Sequence, residues 1–588
     1  MTSRRPAVIA KKYAIASGHE LASQAGLEIL QAGGNAVDAG VAAGLALGVV
    51  HSDLVNVAGV APIMIRMAKT RQVITIDGLG TWPRRASCEL FERQYAGGIP
   101  KGILRTVVPG APAAWLSALR DFGTMNFGEV ARFAIRYAKE GFPAFPLFVN
   151  YITEHQVGYQ STEENQRIYL PNGRPPKVDE LFVQSDLAAS LQYMADQESA
   201  AGGSRNNGLQ AAYDAFYRGD IARKFCDYHK ENGGLLTPDD LAEYQVRFEQ
   251  PLKVGLDGFD IYCCGPWSQG ISLAQMLGLI GGIDVKVLGH NTPEYIHVLT
   301  EALKLVFADR ERHVADPRFV NVPVGQMLDP GYLRLRSELI YAHKAWPQMP
   351  PAGDPAAGRN LISDEADQIS LMHGGDDTPV AKFQTSPLPD GPTAPDTSYV
   401  CVIDDQGNMF SATPSDSSHD GTVIPGSGLC PSTRGSQSRG ISGCINSVAP
   451  GKRPRLTPNP ALVLRDDEPF MTLGTPGGDV QIQAMTQVFL NVIYFGMDIQ
   501  TAIEAPRFAT FSFPGSFAPN DYYPGLLMLE QRLPEETADK LKSFGHDIKW
   551  WPEWSWKAGG VCAIQANPDS GILYAGADPR RASIALGD

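Results

Sequence analysis

Cysteine is sparse in this chain: eight residues in 588, at Cys88, Cys226, Cys263, Cys264, Cys401, Cys430, Cys444 and Cys562. None forms a CxxC pair, so neither a disulfide-stapled scaffold nor a zinc module is expected. Long apolar runs are also missing. The longest, Val41 to Val50, is too short and too rich in Gly and Ala to span a bilayer. Positive charge is in deficit, with a net charge of −14, which argues against a nucleic-acid partner. No HExxH, Walker A, GxGxxG or GxSxG occurs, and no His/Asp/Glu group has metal-ligand spacing. The first residues are basic but carry no apolar stretch of signal-peptide length. These absences lead us to expect a cytoplasmic protein with reduced thiols, no membrane segment, no metal and no cofactor.

What remains is ample for a large core: 43% of residues are hydrophobic and 19% charged. Apolar spacing predicts helices over 19–32 and 36–50, joined at Gly33-Gly34 and with Asn35 as a cap. Segments 61–67 and 71–77 read as a hairpin. Residues 110–350 read as mainly helical, with a long helix from Pro293 to Val314. From 347 to 396 the composition shifts to Pro, Gly and Asp, and we expect a flexible segment over 346–396. Strands return at 398–404 and 409–413 around a turn at Asp405-Gln406-Gly407-Asn408. Two more, 461–464 and 469–473, lead into Gly474-Thr475-Pro476-Gly477-Gly478 and a helix over about 479–495.

The junction Asp396-Thr397 carries the chemical interest. A threonine opening a strand is ordinarily a sheet-filling residue. If the chain were cut there, Thr397 would own both a hydroxyl and an α-amine of pKa about 8. Nucleophile and general base would then be one residue. Gly477 and Gly478, between a strand and a helix, could offer backbone N–H groups to an oxyanion.

The order of motifs sharpens this. Gly33-Gly34-Asn35-Ala36-Val37-Asp38-Ala39, Val108-Pro109-Gly110, the run 302–310, Asp396-Thr397, Lys452-Arg453-Pro454, the run 474–478 and Ala505-Pro506-Arg507-Phe508 occur in that sequence. From about residue 13 onward the chain resembles the γ-glutamyltransferase (γ-glutamyltranspeptidase) family of N-terminal-nucleophile hydrolases. The resemblance implies an α+β fold, a four-layer αββα sandwich. It also implies a precursor that cleaves itself into a large-subunit part, 1–396, and a small-subunit part, 397–588, of one domain. Thr397 takes the nucleophile position, Ser415 that of a hydroxyl bonded to it, and Gly477 and Gly478 those of the oxyanion glycines.

The implied substrate clamp departs from the family pattern. The arginine that binds the glutamyl carboxylate becomes Leu79, and the paired serines become Leu456 and Thr457. The acid that holds the ammonium falls at Gln437, a nearby glutamine becomes Arg434, and an asparagine becomes Ser417. A carboxylate buried against leucines costs several kcal/mol. The expected substrate is therefore a small-molecule amide other than a plain γ-glutamyl peptide. A γ-glutamyl enzyme with a rebuilt clamp and an uncleaved binding homologue stay open as alternatives, as does a homo-oligomer. Arg434 could serve as a new anion ligand or be a solvated loop arginine; Arg84 and Arg85 invite the same question. Trp550, Trp551, Trp554 and Trp556 could form an aromatic acyl pocket, with core packing the simpler reading. His51 and His297 are expected to be structural.

Overall fold

The computed structural model describes residues 3–361 and 397–588. Asp396 and most of the expected flexible segment lie outside the described residues. Two seven-stranded antiparallel sheets form the centre. In chain order their strands are β1 (Val8–Ala10), β2 (Ala14–Ser17), β3 (Ile63–Arg66), β4 (Val73–Ile76), β5 (Phe248–Glu249), β6 (Leu252–Leu256), β7 (Phe259–Cys263), β8 (Val400–Ile403), β9 (Met409–Ala412), β10 (Ala461–Arg465), β11 (Glu468–Gly474), β12 (Cys562–Ala566), β13 (Leu573–Ala577) and β14 (Ile584–Gly587). One sheet runs β1-β13-β12-β11-β10-β7-β6, the other β14-β2-β8-β9-β3-β4-β5.

Side-chain alternation along β8 explains the layering. Tyr399, Cys401 and Ile403 point to the other sheet and pack with Leu462, Leu464, Cys562 and Ile564. Val400 and Val402 point the other way, into helices. Those helices are α1 (Glu20–Gln31), α2 (Ala36–Val50) and their neighbours. On the far side, the helices Gly270–Ile280, Pro293–His313 and Gln481–Ile493 cover β7, β10 and β11. The result is helix, sheet, sheet, helix, as expected.

Local chemistry accounts for the boundaries. Asn35 and Asp38 form a reciprocal capping box at the start of α2. That helix is buried on every side, consistent with its Ala/Gly/Val composition. The region 110–350 is less uniformly helical than the sequence suggests, because β5, β6 and β7 lie within it. Lys253 and Asp260 pair across β6 and β7 at 3.0 Å, on short alternating segments that helical neighbours obscure. Residues 346–361 are held against the helix Pro293–His313: Trp346 N donates to Glu301 at 2.9 Å and Gly353 N to Asp309 at 2.8 Å. All eight cysteines are free thiols. Among the described residues no helix is long and apolar enough to cross a membrane.

Candidate active site

Thr397 stands just before β8, 1% exposed. The β8–β9 register pairs Val400 with Ala412 and Ile403 with Met409. Extended toward the open end of the hairpin, it places Thr397 opposite Ser415, and the two form a bridge. Their hydroxyl oxygens lie 2.7 Å apart. The turn that sets this register is fixed by Asp404, whose Oδ1 accepts from Gln406 N and Asn408 N. Ser415 is clasped from its other side by Val60, through paired backbone bonds of 2.9 and 3.3 Å. Gly59 makes that approach feasible, since a Cβ there would lie 2.3 Å from Ser415 O.

Behind the two hydroxyls is a buried ion pair. Arg434 directs Nη2 at Ser415 Oγ in a very short contact, and its Nε lies 3.1 Å from Asp416 Oδ1. Asp416 also accepts from the Ser432 hydroxyl at 2.7 Å and from Thr433 N and Oγ1 at 3.2 and 3.0 Å. Burial pushes the Asp416 carboxyl above its ordinary range, against the pull of Arg434 and these donors. Its backbone is left-handed, φ 115°, and is steadied by Asn56 Nδ2 donating to Asp416 O at 2.6 Å. Arg434 is 1% exposed, so it is not a solvated loop residue.

The glycine turn adjoins this strand. Gly474 packs so tightly on the Tyr399 ring that a Cβ would fall 2.1 Å from it. Beyond it, Gly477 and Gly478 have φ of 122° and 56° and lead into the helix Gln481–Ile493. Asp479 anchors the turn. It accepts from Arg310 at 2.5 Å and from Ser516 N and Oγ at 2.9 and 2.6 Å.

The expected clamp positions fall into two groups. Leu79 and Leu456 share one apolar cluster with Trp267 and Tyr399, and both are fully buried. Gln437 Nε2 donates to Thr457 Oγ1 at 3.0 Å. The Gln437 Oε1 and Ser417 Oγ atoms are buried with no hydrogen-bond partner among the described residues. Arg84 instead pairs with Glu243 at the surface. Of the tryptophans, Trp551 is core and Trp550 packs beside it. Trp554 is covered by Arg4, Arg532 and Arg580, while Trp556 lines a cavity that begins at Gly477.

Residues 22–587 of the chain match the gamma-glutamyltranspeptidase family model. The chain belongs to that family. It is 33% identical to an acylase ACY 1 proenzyme of Pseudomonas sp. (strain SE83), over 95% of this chain and 91% of that one. It is 28% identical to a glutathione hydrolase proenzyme of Bacillus subtilis (strain 168), over 98% and 92%. The crystal structure of a cephalosporin acylase from Bacillus halodurans superposes with a TM-score of 0.84 at 26% identity, covering 100% and 98%. Sequence reading of this gamma-glutamyltranspeptidase family member missed Asp416 and Asp479, although each adjoins a residue it singled out. Both act through loops that have no periodicity. It also missed that folding gathers His297, Glu301 and His546 within 4.8 Å. There the Tyr341 carbonyl accepts from His297 Nε2 at 2.7 Å, so Nδ1 accepts from His546 at 2.8 Å. Glu301 is engaged by Lys304 and Trp346 N. His297 thus ties the 341–346 loop to His546, two residues after the helix Glu535–Phe544.

Proposed function

We propose that this chain is a proenzyme that cuts itself before Thr397 and then works as a cofactor-independent amidohydrolase or acyltransferase. The observation that carries the reading is the 2.7 Å contact between the Thr397 and Ser415 hydroxyls, backed by Arg434. Cleavage would leave a large part, 1–396, and a small part, 397–588, with Asp396 on the new C-terminus. Thr397 Oγ attacks the amide carbonyl, and the freed α-amine takes its proton and passes it to the leaving nitrogen. Ser415 orients the nucleophile, and the N–H groups of Gly477 and Gly478 receive the oxyanion. Water or an acceptor amine then resolves the acyl-enzyme.

The apolar cluster that holds Leu79 and Leu456 supports a substrate other than a plain γ-glutamyl peptide, because leucines stand there where the family resemblance implies an arginine and a serine for a glutamyl carboxylate. The name of the Pseudomonas acylase proenzyme points the same way. Ser417, Gln437 and Thr457 remain as polar contacts for the substrate. Arg434, a buried cation beside the nucleophile, favours the second reading, a γ-glutamyl enzyme with a rebuilt clamp. The eight free thiols support a cytoplasmic location.

Mass spectrometry of the wild type beside Thr397→Ala tests the proposal. The wild type should give a fragment that begins with Thr397, and the variant a single 63.5 kDa chain. A wild type that stays intact on long incubation sinks the catalytic reading. Ordinary turnover of γ-glutamyl-p-nitroanilide would replace the first substrate reading with the second.

A further inference from the structure

The run Gly474-Thr475-Pro476-Gly477-Gly478 holds more than its two final glycines. A trans peptide is planar, so its C=O and the following N–H point in opposite directions. Fixing a carbonyl therefore aims the N–H that follows it. The Pro476 carbonyl shares a peptide plane with Gly477 N–H and accepts from the Thr475 hydroxyl at 2.9 Å. The Gly477 carbonyl shares a plane with Gly478 N–H and accepts from Val480 N at 3.0 Å. Both N–H groups proposed to receive the oxyanion are thus set by a bond to the carbonyl behind them. Backbone makes the second bond. The first depends on one side chain, that of Thr475.

Thr475 is fully buried and is itself held. Its oxygen accepts from Gly560 N at 2.9 Å, which leaves its single proton for Pro476 O. The segment facing it is braced on both sides of Gly560. Arg507, in the run Ala505-Pro506-Arg507-Phe508, donates from Nη1 to Ala558 O at 3.0 Å and pairs with Asp578 at 2.6 Å. Asp578 Oδ2 accepts from Val561 N at 3.1 Å. Gly559, with φ of 92°, passes so close that a Cβ on it would lie 2.9 Å from Thr475 Oγ1. Gly477 also lines a half-open pocket with Phe513, Phe517 and Trp556, so the turn is open to a ligand from that side.

We infer that Thr475 is a positioning residue of the acyl-transfer site: its hydroxyl, seated on Gly560 N–H, aims Gly477 N–H at the oxyanion. The inference rests on the proposed acyl transfer through Thr397 and Gly477. Thr475 touches no reacting atom and acts through the Pro476–Gly477 peptide. A donor aimed in advance needs no rearrangement as the charge develops.

Acylation of processed enzyme by p-nitrophenyl acetate tests this, read as the first burst of p-nitrophenolate. In that step Thr397 Oγ bonds to the acetyl carbon, p-nitrophenolate leaves and the α-amine takes the hydroxyl proton. Thr475→Val keeps the shape but not the hydroxyl, and should slow acylation about 10–100-fold per cut molecule with half-saturation unchanged. Thr475→Ser should retain most of the rate. The matching thiono ester, with sulfur where the oxyanion forms, adds a readout that a merely structural role would not move. Sulfur accepts hydrogen bonds weakly, so Thr475→Val should narrow the preference of the wild type for the oxygen ester. Thr475→Cys, with a weaker donor in the same place, carries the test if the valine variant does not fold or is not cut. Its rate and its preference should fall between those of the wild type and a hydroxyl-free site. Unchanged acylation in Thr475→Val or Thr475→Cys, equal slowing of both esters, or a serine variant as slow as the valine one would overturn the inference. An uncut wild type, or a cut one that p-nitrophenyl acetate does not acylate, removes the proposed function itself. A cut and reactive wild type with unresponsive variants removes only the role of Thr475.

Discussion

Asp416 and Arg434 face each other at 3.1 Å with both side chains sealed from solvent, directly behind the paired hydroxyls of Thr397 and Ser415. Breaking such a pair leaves one buried charge alone, at a cost of about 3–5 kcal/mol. Arg434→Gln should therefore lower the urea midpoint sharply and impair appearance of the Thr397 fragment. The double variant Arg434→Gln with Asp416→Asn should recover part of the stability, because no lone charge remains. Equal midpoints for the single and double variants would show that the pair is not coupled.

Ser415→Ala removes the hydroxyl that meets Thr397 Oγ. A buried hydrogen bond of about 1.5–3 kcal/mol corresponds to roughly 10–100-fold in rate. Both fragment appearance and amide turnover should slow by that order, and Ser415→Thr should retain most of each. Unchanged rates in the alanine variant would remove Ser415 from the mechanism.

Gly477→Ala tests the oxyanion turn. A Cβ there has room, its nearest neighbour being 3.4 Å away, but φ of 122° is a conformation that side chains resist. The turn should shift and turnover should fall about 10²–10³-fold, while the protein still folds. Circular dichroism beside steady-state assays reads both; full activity would place the oxyanion elsewhere.

Leu79→Arg, which puts back the cation of the family pattern, should not create glutathione hydrolysis. The side chain would be forced among Leu456, Trp267 and Tyr399 with no acid supplied, at a cost of several kcal/mol. A lower melting temperature without gain of γ-glutamyl turnover is the expected result. A stable, glutathione-active variant would mean that the clamp was lost by that one change.

Stability should fall with acid below about pH 6.5. His19 and His419 are held neutral, each down to about 3, mainly by burial, which His51 reinforces at His19 and Asp420 opposes at His419. His155, stacked on His419 at 4.1 Å, is down to about 4, mainly by burial. In the unfolded chain each takes a proton below 6.5, and in the fold it does not. The unfolded state therefore binds more protons between 6.5 and these values, and stability present above 6.5 is lost as pH falls. Each such histidine contributes about 1.4 kcal/mol per pH unit in that window. Urea midpoints from pH 7.5 to 4.5 measure the slope, and His155→Gln should make it shallower by about one proton. A midpoint independent of pH across that range would contradict the neutral assignment.

Most of the site was named through the family resemblance, and local order explains why those positions meet. The turn at 405–408 and two alternating strands set a register, and that register alone puts Ser415 opposite Thr397. Leu79 and Leu456 could likewise be named in advance as misfits to a glutamyl clamp. Arg434 could not be assigned: whether it was solvated or buried depends on Asp416, Ser432 and Thr433 closing around a loop without periodicity. The aromatic cavity was half visible. Four tryptophans near the C-terminus drew notice, but only Trp556 reaches the cavity, and Phe513 and Phe517 gave no local sign of doing so. Strands β6 and β7 were hidden by the helices on either side of them.

Each of the two large sheets draws strands from both sides of residue 397. β8 and β9 lie between β2 and β3, and β10 and β11 lie between β7 and β12. The peptide bond before Thr397 is thus not a seam between two folding units. A gene divided at that codon would yield two polypeptides, each holding alternate slices of both sheets and neither holding a complete one. Their sheets could close only by assembling together, so folding of either part depends on the other.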